Sequence, residues 1–467
     1  MNLADTIVAV ATPPGEGAIA LLRVSGPEAI ATTEVLFQSK SKRSLQKGGS
    51  QDVYFGTINY QNELLDEVLV TVFKAPHSYT GEDVVELSCH GSPYIQQQLL
   101  QAYIEQKVRI ATPGEFTLRA YLNKKMDLSQ AEAVADLIAS DAAGAHRLAL
   151  QQMRGGVSSH LNSLREKLIN FTALIELELD FSEEDVAFAD RQELVNLVEA
   201  LQQQLQELLS SFTLGNAIKS GIPVAIAGKP NAGKSSLLNA LLNEEKAIVS
   251  DIAGTTRDSI EDTLVIEGLK FRFIDTAGLR ETTDTIEAFG VQRAYEKVTQ
   301  AQLLLYLYDP LDTPPKAVLE DLNKMKRADL QIILVESKID RFDPNAFLAH
   351  QEELKQLLPP EWPIDFLKLS TFQPETIAHL KTSLHRKIKA TQSSESVLIS
   401  NARHQEALQL AAEALQTVAE GLQHQISGDL LSIDLKEAIQ HIGSITGTIE
   451  VDQDILGTIF GRFCIGK

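Results

Sequence analysis

The feature that most constrains this chain is the loop Gly228-Lys229-Pro230-Asn231-Ala232-Gly233-Lys234-Ser235-Ser236. It has the form G-x-x-x-x-G-K-[ST], in which a glycine-rich turn surrounds a phosphate with backbone N–H groups. The apolar run 222–227 predicts a buried strand before the loop, and residues 236–242 predict a helix that starts at Ser235 or Ser236. A phosphate held there also lies at the positive end of the helix dipole. The sequence therefore predicts a nucleotide site.

Each side chain of the loop has a predicted role. Lys234 is expected to neutralise the β- and γ-phosphates, and the Ser235 hydroxyl is expected to bind Mg²⁺. The predicted nucleotide-binding residues of the loop are Asn231, Ala232, Gly233, Lys234, Ser235 and Ser236.

Two further segments indicate that the nucleotide is GTP. Residues 271–278 predict a strand that ends in Asp-Thr-Ala-Gly, where the aspartate acts on Mg²⁺ through water and the glycine N–H senses the γ-phosphate. Residues 250–258 have the order and spacing of a first switch loop, whose Thr256 would complete the metal shell. The predicted GTP-contacting residues of the two segments are Ser250, Asp251, Ile252, Ala253, Gly254, Thr255, Thr256, Asp275, Thr276, Ala277 and Gly278.

The predicted guanine-reading segment is Ser337-Lys338-Ile339-Asp340, which follows an apolar strand at the place where Asn-Lys-x-Asp is expected. Asp340 can accept hydrogen bonds from the N1–H and exocyclic amine of guanine, which adenine does not offer. Serine at 337 removes an amide contact, so a somewhat relaxed discrimination is expected. Ser370-Thr371-Phe372 loosely matches a final base loop.

Leu279 stands where many GTPases place the glutamine that orients the attacking water. Leucine has no polar group for that task, so another group must position the water. The candidates are the carboxylates of Glu281, Asp284 and Glu287 in the following segment.

Charge and cysteine content limit the partners. The formal net charge of −21 argues against a protein held on nucleic acid mainly by its own basic surface. Two cysteines are too few for a disulfide scaffold and fit a reducing, cytoplasmic location. No apolar run approaches the roughly 18 residues of a membrane span, so no membrane contact is expected.

The pattern along the chain predicts a multidomain fold. Strands with one or two helices, among them a helix over 93–105, predict a small α+β N-terminal domain at 1–118. Helical periodicity predicts an all-helical domain in two parts, 119–215 and 386–467, with Ser129 capping an early helix. A Ras-like phosphate-loop G domain at 216–385, entered through a linker at 215–221, is inserted between them. A last helix is expected from Leu431 to Phe463.

Short motifs along the whole chain resemble those of one family, the tRNA-modifying GTPases called MnmE or TrmE. They are the GTPase motifs above and Asp5-Thr6-Ile7, Ala11-Thr12-Pro13-Pro14-Gly15, Gly81-Glu82-Asp83, Pro113-Gly114-Glu115-Phe116 and Cys464-Ile465-Gly466-Lys467. The resemblance implies a homodimer joined through N-terminal domains that bind 5-formyltetrahydrofolate or a related folate. It implies G domains that dimerise during GTP hydrolysis, and action with an FAD-dependent partner of the MnmG or GidA type. Together these would add an aminomethyl-type group (aminomethyl or carboxymethylaminomethyl) to carbon 5 of the wobble uridine of tRNA.

The resemblance also assigns residues by motif position. It places Arg23, Glu86, Lys125 and Lys467 at the folate, and Asn231, Ser250, Ile252 and Thr255 around a K⁺ ion. Glu287 matches the water-orienting glutamate, and Cys464 is expected to be a functional thiol. An oxygen cage with K⁺ in it would do the work of an arginine finger, so faster hydrolysis is expected in K⁺ than in Na⁺.

Simpler interpretations stay open for several of these residues. Arg23 and Glu86 could form a structural ion pair on adjacent strands, and Lys125 could be a solvated residue at a helix start. Cys464 could be a small buried hydrophobe. For the whole chain, the alternatives are a regulatory GTPase of ribosome assembly and a membrane-remodelling GTPase. The sequence shows no basic amphipathic helix, which argues against membrane remodelling.

Overall fold

The protein is described here by a computed structural model that covers most of the chain. It describes residues 4–61, 63–180, 191–246, 262–274, 298–327, 330–341, 344–359, 362, 364–389, 397–424, 426–449, 453–461 and 463–466. The predictions for residues 250–256, 275–278, 279–287 and for Lys467 therefore fall outside the described residues. The chain forms two compact units, one made of residues 1–138, 150–203 and 406–467 and the other of 139–149 and 204–405.

A mixed sheet organises the N-terminal part of the first unit. In the described residues its seven strands have the order β3-β4-β5-β6-β2-β1-β7, antiparallel except for the parallel pair β1 and β7. The strands are β1 Ile7–Val10, β2 Gly17–Ser25, β3 Phe37–Ser39, β4 Asp52–Tyr60, β5 Glu63–Phe73, β6 Val84–Gly91 and β7 Arg109–Ile110. Helices α1 (Ala29–Leu36) and α2 (Pro93–Glu105) share one core with the sheet, and α2 matches its predicted range.

The period-two alternation of β2 and β6 gives the sheet two different faces. Ala20, Leu22 and Val24 are buried in the core, whereas Ile19 and Arg23 point to the opposite face. Strand β6 pairs with β2 in a register that places Glu86 directly opposite Arg23. The second face therefore carries a mixed polar and apolar surface.

Helices make up much of the rest of the chain. They are α3 Glu115–Leu122, α4 Leu128–Ala139, α5 Ala143–Met153, α6 Gly156–Asp180, α7 Arg191–Ser220, α12 Ala402–Gln423, α13 Gly428–Thr446 and α14 Gln453–Phe460. Buried apolar residues on α3, α4 and α14 form one cluster, which includes Leu118, Leu128 and Phe460. No helix within the described ranges is long and apolar enough to cross a membrane.

Three local predictions are wrong. The linker expected at 215–221 does not exist, because α7 continues to Ser220 and leads directly into the next strand. Helix α4 is capped by Asp127, which accepts the Gln130 N–H at 2.8 Å while the Gln130 side chain accepts the Asp127 N–H at 2.9 Å. Ser129 lies inside the first turn. The last predicted helix is two helices, α13 and α14, since Gly447 takes a left-handed φ of 71° and ends α13.

A second sheet lies in the other unit. Its six strands in the described ranges have the order β13-β12-β11-β8-β10-β9, and all neighbours are parallel except β9 and β10. The strands are β8 Ile222–Gly228, β9 Asp262–Ile266, β10 Leu269–Phe273, β11 Leu303–Tyr308, β12 Gln331–Ser337 and β13 Ile364–Leu369. The helices are α8 Lys234–Lys246, α9 Pro315–Met325, α10 Pro344–Leu357 and α11 Pro374–Lys389.

Both faces of this sheet are covered. Helices α8 and α11 share a core with one face, and α9 and α10 share a core with the other. In such a doubly wound sheet, ligands bind outside the carboxyl ends of the strands where the strand order reverses. The order reverses at β8, whose carboxyl end leads into the phosphate loop. The predicted fold class, a Ras-like G domain with helical and N-terminal α+β parts, is confirmed.

Candidate functional site

The phosphate loop connects β8 to α8 at the carboxyl edge of the second sheet. Gly228 has a φ of 143°, and a side chain there would collide with the Leu307 carbonyl of β11. Asn231 and Gly233 also adopt left-handed conformations, with φ values of 61° and 94°. Successive residues of this kind turn the backbone N–H groups toward one point, which is the basis of an anion-binding loop. The glycines are therefore required by geometry.

Lys234 is the first residue of α8 and folds back over the loop. Its Nζ donates to the carbonyl oxygens of Gly228 at 2.7 Å and Lys229 at 2.8 Å. Burial lowers the pKa of Lys234 from its usual value. A phosphate at the loop would stabilise the charged ammonium, because an adjacent negative charge favours the protonated form. The Lys234 ammonium therefore lies at the loop that is predicted to bind the phosphates.

The remaining loop residues fit the proposed metals by donor chemistry. Ser235 lies in the first turn of α8 and offers a hydroxyl oxygen, the type of hard donor that Mg²⁺ prefers. Asn231 is exposed and offers an amide oxygen, which fits a hard monovalent cation. Ala232 is buried, and Ser236 is exposed. The other predicted metal ligands, Ser250, Ile252, Thr255 and Thr256, lie outside the described residues.

The predicted guanine-reading residues lie on the same edge of the sheet, after β12 and β13. Asp340 is exposed in the 3₁₀ turn Ile339–Arg341, and its Oδ1 accepts the Ser370 hydroxyl at 2.7 Å. Ser370 is almost fully buried and is itself bonded to Thr376 through its backbone N–H and carbonyl. Ser370 thus orients the Asp340 carboxylate, which brings the loosely matched final base loop into contact with the predicted guanine-reading segment.

Ser337 and Lys338 differ in their surroundings. Ser337 is buried, and its Oγ donates to the Tyr308 carbonyl of β11 at 3.0 Å. Lys338 has a left-handed φ of 59°, and its Nζ pairs with Asp309 Oδ2 at 2.9 Å. The sequence analysis missed Asp309. The available signal was an acidic residue directly after the apolar strand β11, at the edge where the nucleotide loops lie.

Arg23 and Glu86 are brought together on the second face of the first sheet, where their side chains are 14% and 24% exposed. Arg23 donates from Nε at 2.9 Å and from Nη2 at 2.7 Å, both to Glu86 Oε1. The guanidinium also lies 5.2 Å from the Tyr79 ring centre and 5.7 Å from that of Phe116. Rings that hold the guanidinium in this way favour one fixed orientation. The predicted ion pair is therefore present, and it leaves Glu86 Oε2 open to a further donor.

The Pro-Gly-Glu-Phe and Gly-Glu-Asp motifs build a buried ionic network beside this pair. Glu115, whose side chain is fully buried, accepts from Arg109 at 2.6 Å and from Arg119 at 3.0 Å. Burial opposes ionisation of Glu115, but the bonds from Arg109, the Thr112 backbone and Arg119 outweigh it and lower its pKa to about 2. Two further carboxylates pair with Arg119, those of Asp5 and Glu82. Sequence reasoning found the motifs but not this network.

Lys125 and the C-terminal motif lie near elements of the same unit. The Lys125 Nζ donates to the Pro76 carbonyl at 2.8 Å, in the β5–β6 connection that also carries Tyr79. A side chain at Gly466 would collide with the Val10 carbonyl at the end of β1. Cys464 is an exposed free thiol, so the buried-hydrophobe interpretation is wrong. Lys125 and Arg23 thus touch one connecting segment.

Comparison with known proteins covers nearly the full chain. Residues 6–125 match the family described as "GTP-binding protein TrmE N-terminus", and residues 128–464 match the "MnmE helical domain". A tRNA modification GTPase MnmE from Christiangramia forsetii is 50% identical over 476 residues, with 100% of each chain covered. Relatives of the same name from Cytophaga hutchinsonii and Bacteroides thetaiotaomicron are 49% and 50% identical, covering 100% and 99% of this chain and 98% and 99% of theirs.

Proposed function

We propose that this chain, which belongs to the MnmE family of tRNA modification GTPases, is a K⁺-stimulated GTPase that modifies carbon 5 of the wobble uridine in tRNA. It acts with an FAD-dependent partner of the MnmG or GidA type and uses a folate one-carbon donor to add the aminomethyl or carboxymethylaminomethyl group. The observation that carries the proposal is the phosphate loop, with Lys234 folded over it, at the strand-order reversal of a doubly wound sheet.

The proposed GTP site is built from the loops after β8, β12 and β13. Lys234 exchanges its two carbonyl partners for phosphate oxygens, and Asp340 accepts from the guanine base while Ser370 holds it. Ser235 and Thr256 would hold Mg²⁺, which would supply charge neutralisation at the phosphates. The predicted residues Asp275, Thr276, Ala277 and Gly278 complete the γ-phosphate side of the site.

Potassium and a carboxylate take the roles of the arginine finger and the glutamine. Asn231 offers an amide oxygen beside the phosphates, and the loop with Ser250, Ile252 and Thr255 is proposed to complete the cage. Glu287 is proposed to orient the attacking water. The rate of GTP hydrolysis in matched KCl and NaCl buffers tests the proposed role of K⁺. Equal rates would contradict it.

The second face of the first sheet, around Arg23 and Glu86, is the proposed folate site. Glu86 Oε2 can accept from the N–H groups of a pterin, and the fixed Arg23 guanidinium can donate to its carbonyl or to a carboxylate. Lys125 and Lys467 are proposed to contact the same ligand, and the position of Gly466 against Val10 supports this for the C-terminus.

We expect the Arg23→Ala variant to bind 5-formyltetrahydrofolate about 10- to 100-fold more weakly, because a hydrogen bond to a charged group contributes about 1.5–3 kcal/mol. Isothermal titration calorimetry on the full chain measures the affinity. Arg43→Ala is the matched control, since Arg43 is exposed and lies in another loop. Equal affinity in a folded Arg23→Ala variant would leave the Arg23–Glu86 pair with a structural role alone.

The proposed partners are a second copy of the chain, an FAD-dependent subunit and tRNA. The chain is proposed to form a homodimer through its N-terminal domain, with domains at 1–118, 119–215, 216–385 and 386–467. The FAD-dependent subunit and tRNA bind to this dimer, and a net charge of −21 agrees with a partner that supplies the positive surface for tRNA. The site of action is the cytoplasm, where tRNA is modified.

The exposed thiol of Cys464 provides the test of the whole function. We expect expression of this chain to restore the wobble-uridine modification in a bacterial strain that lacks it, and the Cys464→Ser variant to fail. GTP hydrolysis should stay near normal in that variant, because the thiol is predicted to lie outside the GTP site. Mass spectrometry of tRNA nucleosides gives the result.

Two outcomes would contradict these expectations. Full modification by the Cys464→Ser variant would exclude a chemical role for the thiol. No restoration by the wild-type chain, together with its recovery on ribosomal subunits, would favour the alternative of a ribosome-assembly GTPase. A Cys89→Ser variant is the matched control for loss of a thiol, because Cys89 is buried in the sheet core.

A further inference from the structure

The proposed guanine-reading loop, residues 338–341, is held by a side-chain contact at each end. At one end Ser370 holds Asp340, and at the other the Asp309 carboxylate holds the Lys338 ammonium. We propose that Asp309 is a positioning residue for guanine-nucleotide binding, acting through Lys338. The proposal rests on the GTP site proposed above and names a residue that sets its affinity.

Asp309 directly follows β11, and its carboxylate is held in place by several contacts. Its side chain is only 7% exposed, and Oδ2 lies 2.9 Å from Lys338 Nζ. The other oxygen, Oδ1, accepts the Leu311 N–H at 3.1 Å, and the Asp309 carbonyl accepts the N–H groups of Asp312 and Thr313. The carboxylate therefore has one orientation, which points one oxygen at the lysine.

Lys338 occupies a conformation that needs support. Its φ of 59° lies in the left-handed region, which is unfavourable for a residue with a side chain. Its carbonyl accepts the Arg341 N–H at 3.0 Å and so begins the 3₁₀ turn that contains Asp340. The conformation of Lys338 thus sets the course of the backbone that carries Asp340.

The ion pair is not needed to join the two strands. Strands β11 and β12 are already paired along their length, and Tyr308 donates to Glu336 at 2.8 Å while Ser337 donates to the Tyr308 carbonyl. The Asp309–Lys338 pair differs from these bonds, because it connects the end of the sheet to the loop of residues 338–341. Its effect is to hold the loop ready before the nucleotide arrives, which lowers the ordering cost of binding.

The experiment is a double-mutant cycle on nucleotide affinity. The variants are Asp309→Asn, Lys338→Met and the double variant, and the probe is N-methylanthraniloyl-GDP followed by fluorescence. We expect Asp309→Asn to weaken binding about tenfold, and the double variant to be no weaker than Lys338→Met, because both changes remove one interaction. Asn keeps the acceptor for the Leu311 N–H, so the turn is preserved.

A second readout separates positioning from fold stability. The KM for GTP should rise in Asp309→Asn while kcat at saturation stays constant, since Asp309 does not touch the phosphates. Asp312→Asn is the matched control, because Asp312 lies in the same turn with an exposed side chain. Should Asp309→Asn not fold, Asp309→Glu keeps the charge, displaces the carboxylate and should show the same rise in KM.

The outcomes are distinct. Unchanged affinity in a folded Asp309→Asn variant, or a lower melting temperature with unchanged KM, would overturn the positioning role. A double variant markedly weaker than Lys338→Met would show that Asp309 acts by another route. If the wild-type chain does not bind the GDP probe, the proposed GTP site itself fails.

Discussion

We expect the Lys234→Ala variant to hydrolyse GTP about 10²- to 10³-fold more slowly than the wild-type chain at saturating nucleotide. This is the range observed when one preorganised group that stabilises transition-state charge is removed. Nucleotide affinity should also fall, because a charge-assisted contact to the phosphates is lost.

The structure gives the reason for so large an effect. Lys234 Nζ already lies at the loop, where it donates to the Gly228 and Lys229 carbonyls, and it exchanges these partners for phosphate oxygens when phosphate binds. Burial, which lowers the pKa of Lys234, also means that its charge acts in a poorly screened environment. Removal of this cation leaves the phosphate loop with its N–H groups alone.

Phosphate release measured under steady-state and single-turnover conditions gives kcat and the chemical rate. Lys316→Ala is the matched control, since it removes an exposed lysine from α9 in the same unit. Near-normal turnover in Lys234→Ala would mean that the loop does not hold the reacting phosphates. Loss of turnover in the control would point instead to a general effect of charge.

The second large effect concerns Glu115 in the N-terminal network. We expect Glu115→Gln to lower the free energy of unfolding of the N-terminal domain by about 3 kcal/mol, the low end of the range for breaking a buried ion pair. Arg119, which is 1% exposed, would lose one of its carboxylate partners, although Asp5 and Glu82 remain. The amide keeps the shape of the side chain but not its charge.

The pH dependence of this difference follows from the lowered pKa. Glu115 titrates at about 2 in the folded chain against a usual value of 4.5, so the folded state favours the ionised form. Its contribution is therefore complete above about pH 4.5 and is lost as the pH falls toward 2. The wild type and Glu115→Gln should differ fully at pH 7 and much less at pH 3.

Denaturant unfolding measures the difference in the free energy of unfolding between the two proteins. Hydrogen exchange of the peptides that contain β1, β7 and α3 monitors the unfolding of this domain. Glu63→Gln is the matched control, because Glu63 is exposed on β5 of the same sheet. Equal stability of Glu115→Gln and the wild type at pH 7 would show that the network is not needed for the fold. A difference as large at pH 3 as at pH 7 would assign the effect to packing instead of charge.

Features that depend on residues close together in the chain could be predicted from the sequence. The phosphate loop is one example, since its glycines, lysine and serine are consecutive and the flanking strand and helix begin within a few residues. Helix α2 is another, because Pro93 marks its start and its apolar residues recur at helical spacing. The cross-strand pair of Arg23 and Glu86 could be proposed only as one of two alternatives.

Glycine at 215 shows why the linker prediction was wrong. A glycine in a helix costs roughly 1 kcal/mol relative to alanine, which favours an interruption when the sequence is considered alone. In the structure, a side chain at Gly215 would collide with the Ile399 carbonyl, so glycine permits a close approach of two segments. The burial of Ala217 and Ile218 in the sheet core stabilises the helix through this point.

The sequence by itself determined the nucleotide loop, the kinds of domain and the family, because each depends on periodicity or on a contiguous motif. Only the tertiary structure decided that Asp309 holds Lys338 and that Glu115 connects Arg109 and Arg119. The physical reason is that strand register and helix packing choose the partner of a charged side chain. The sequence shows that a charged residue is present, whereas the fold determines which opposite charge lies within 3 Å of it.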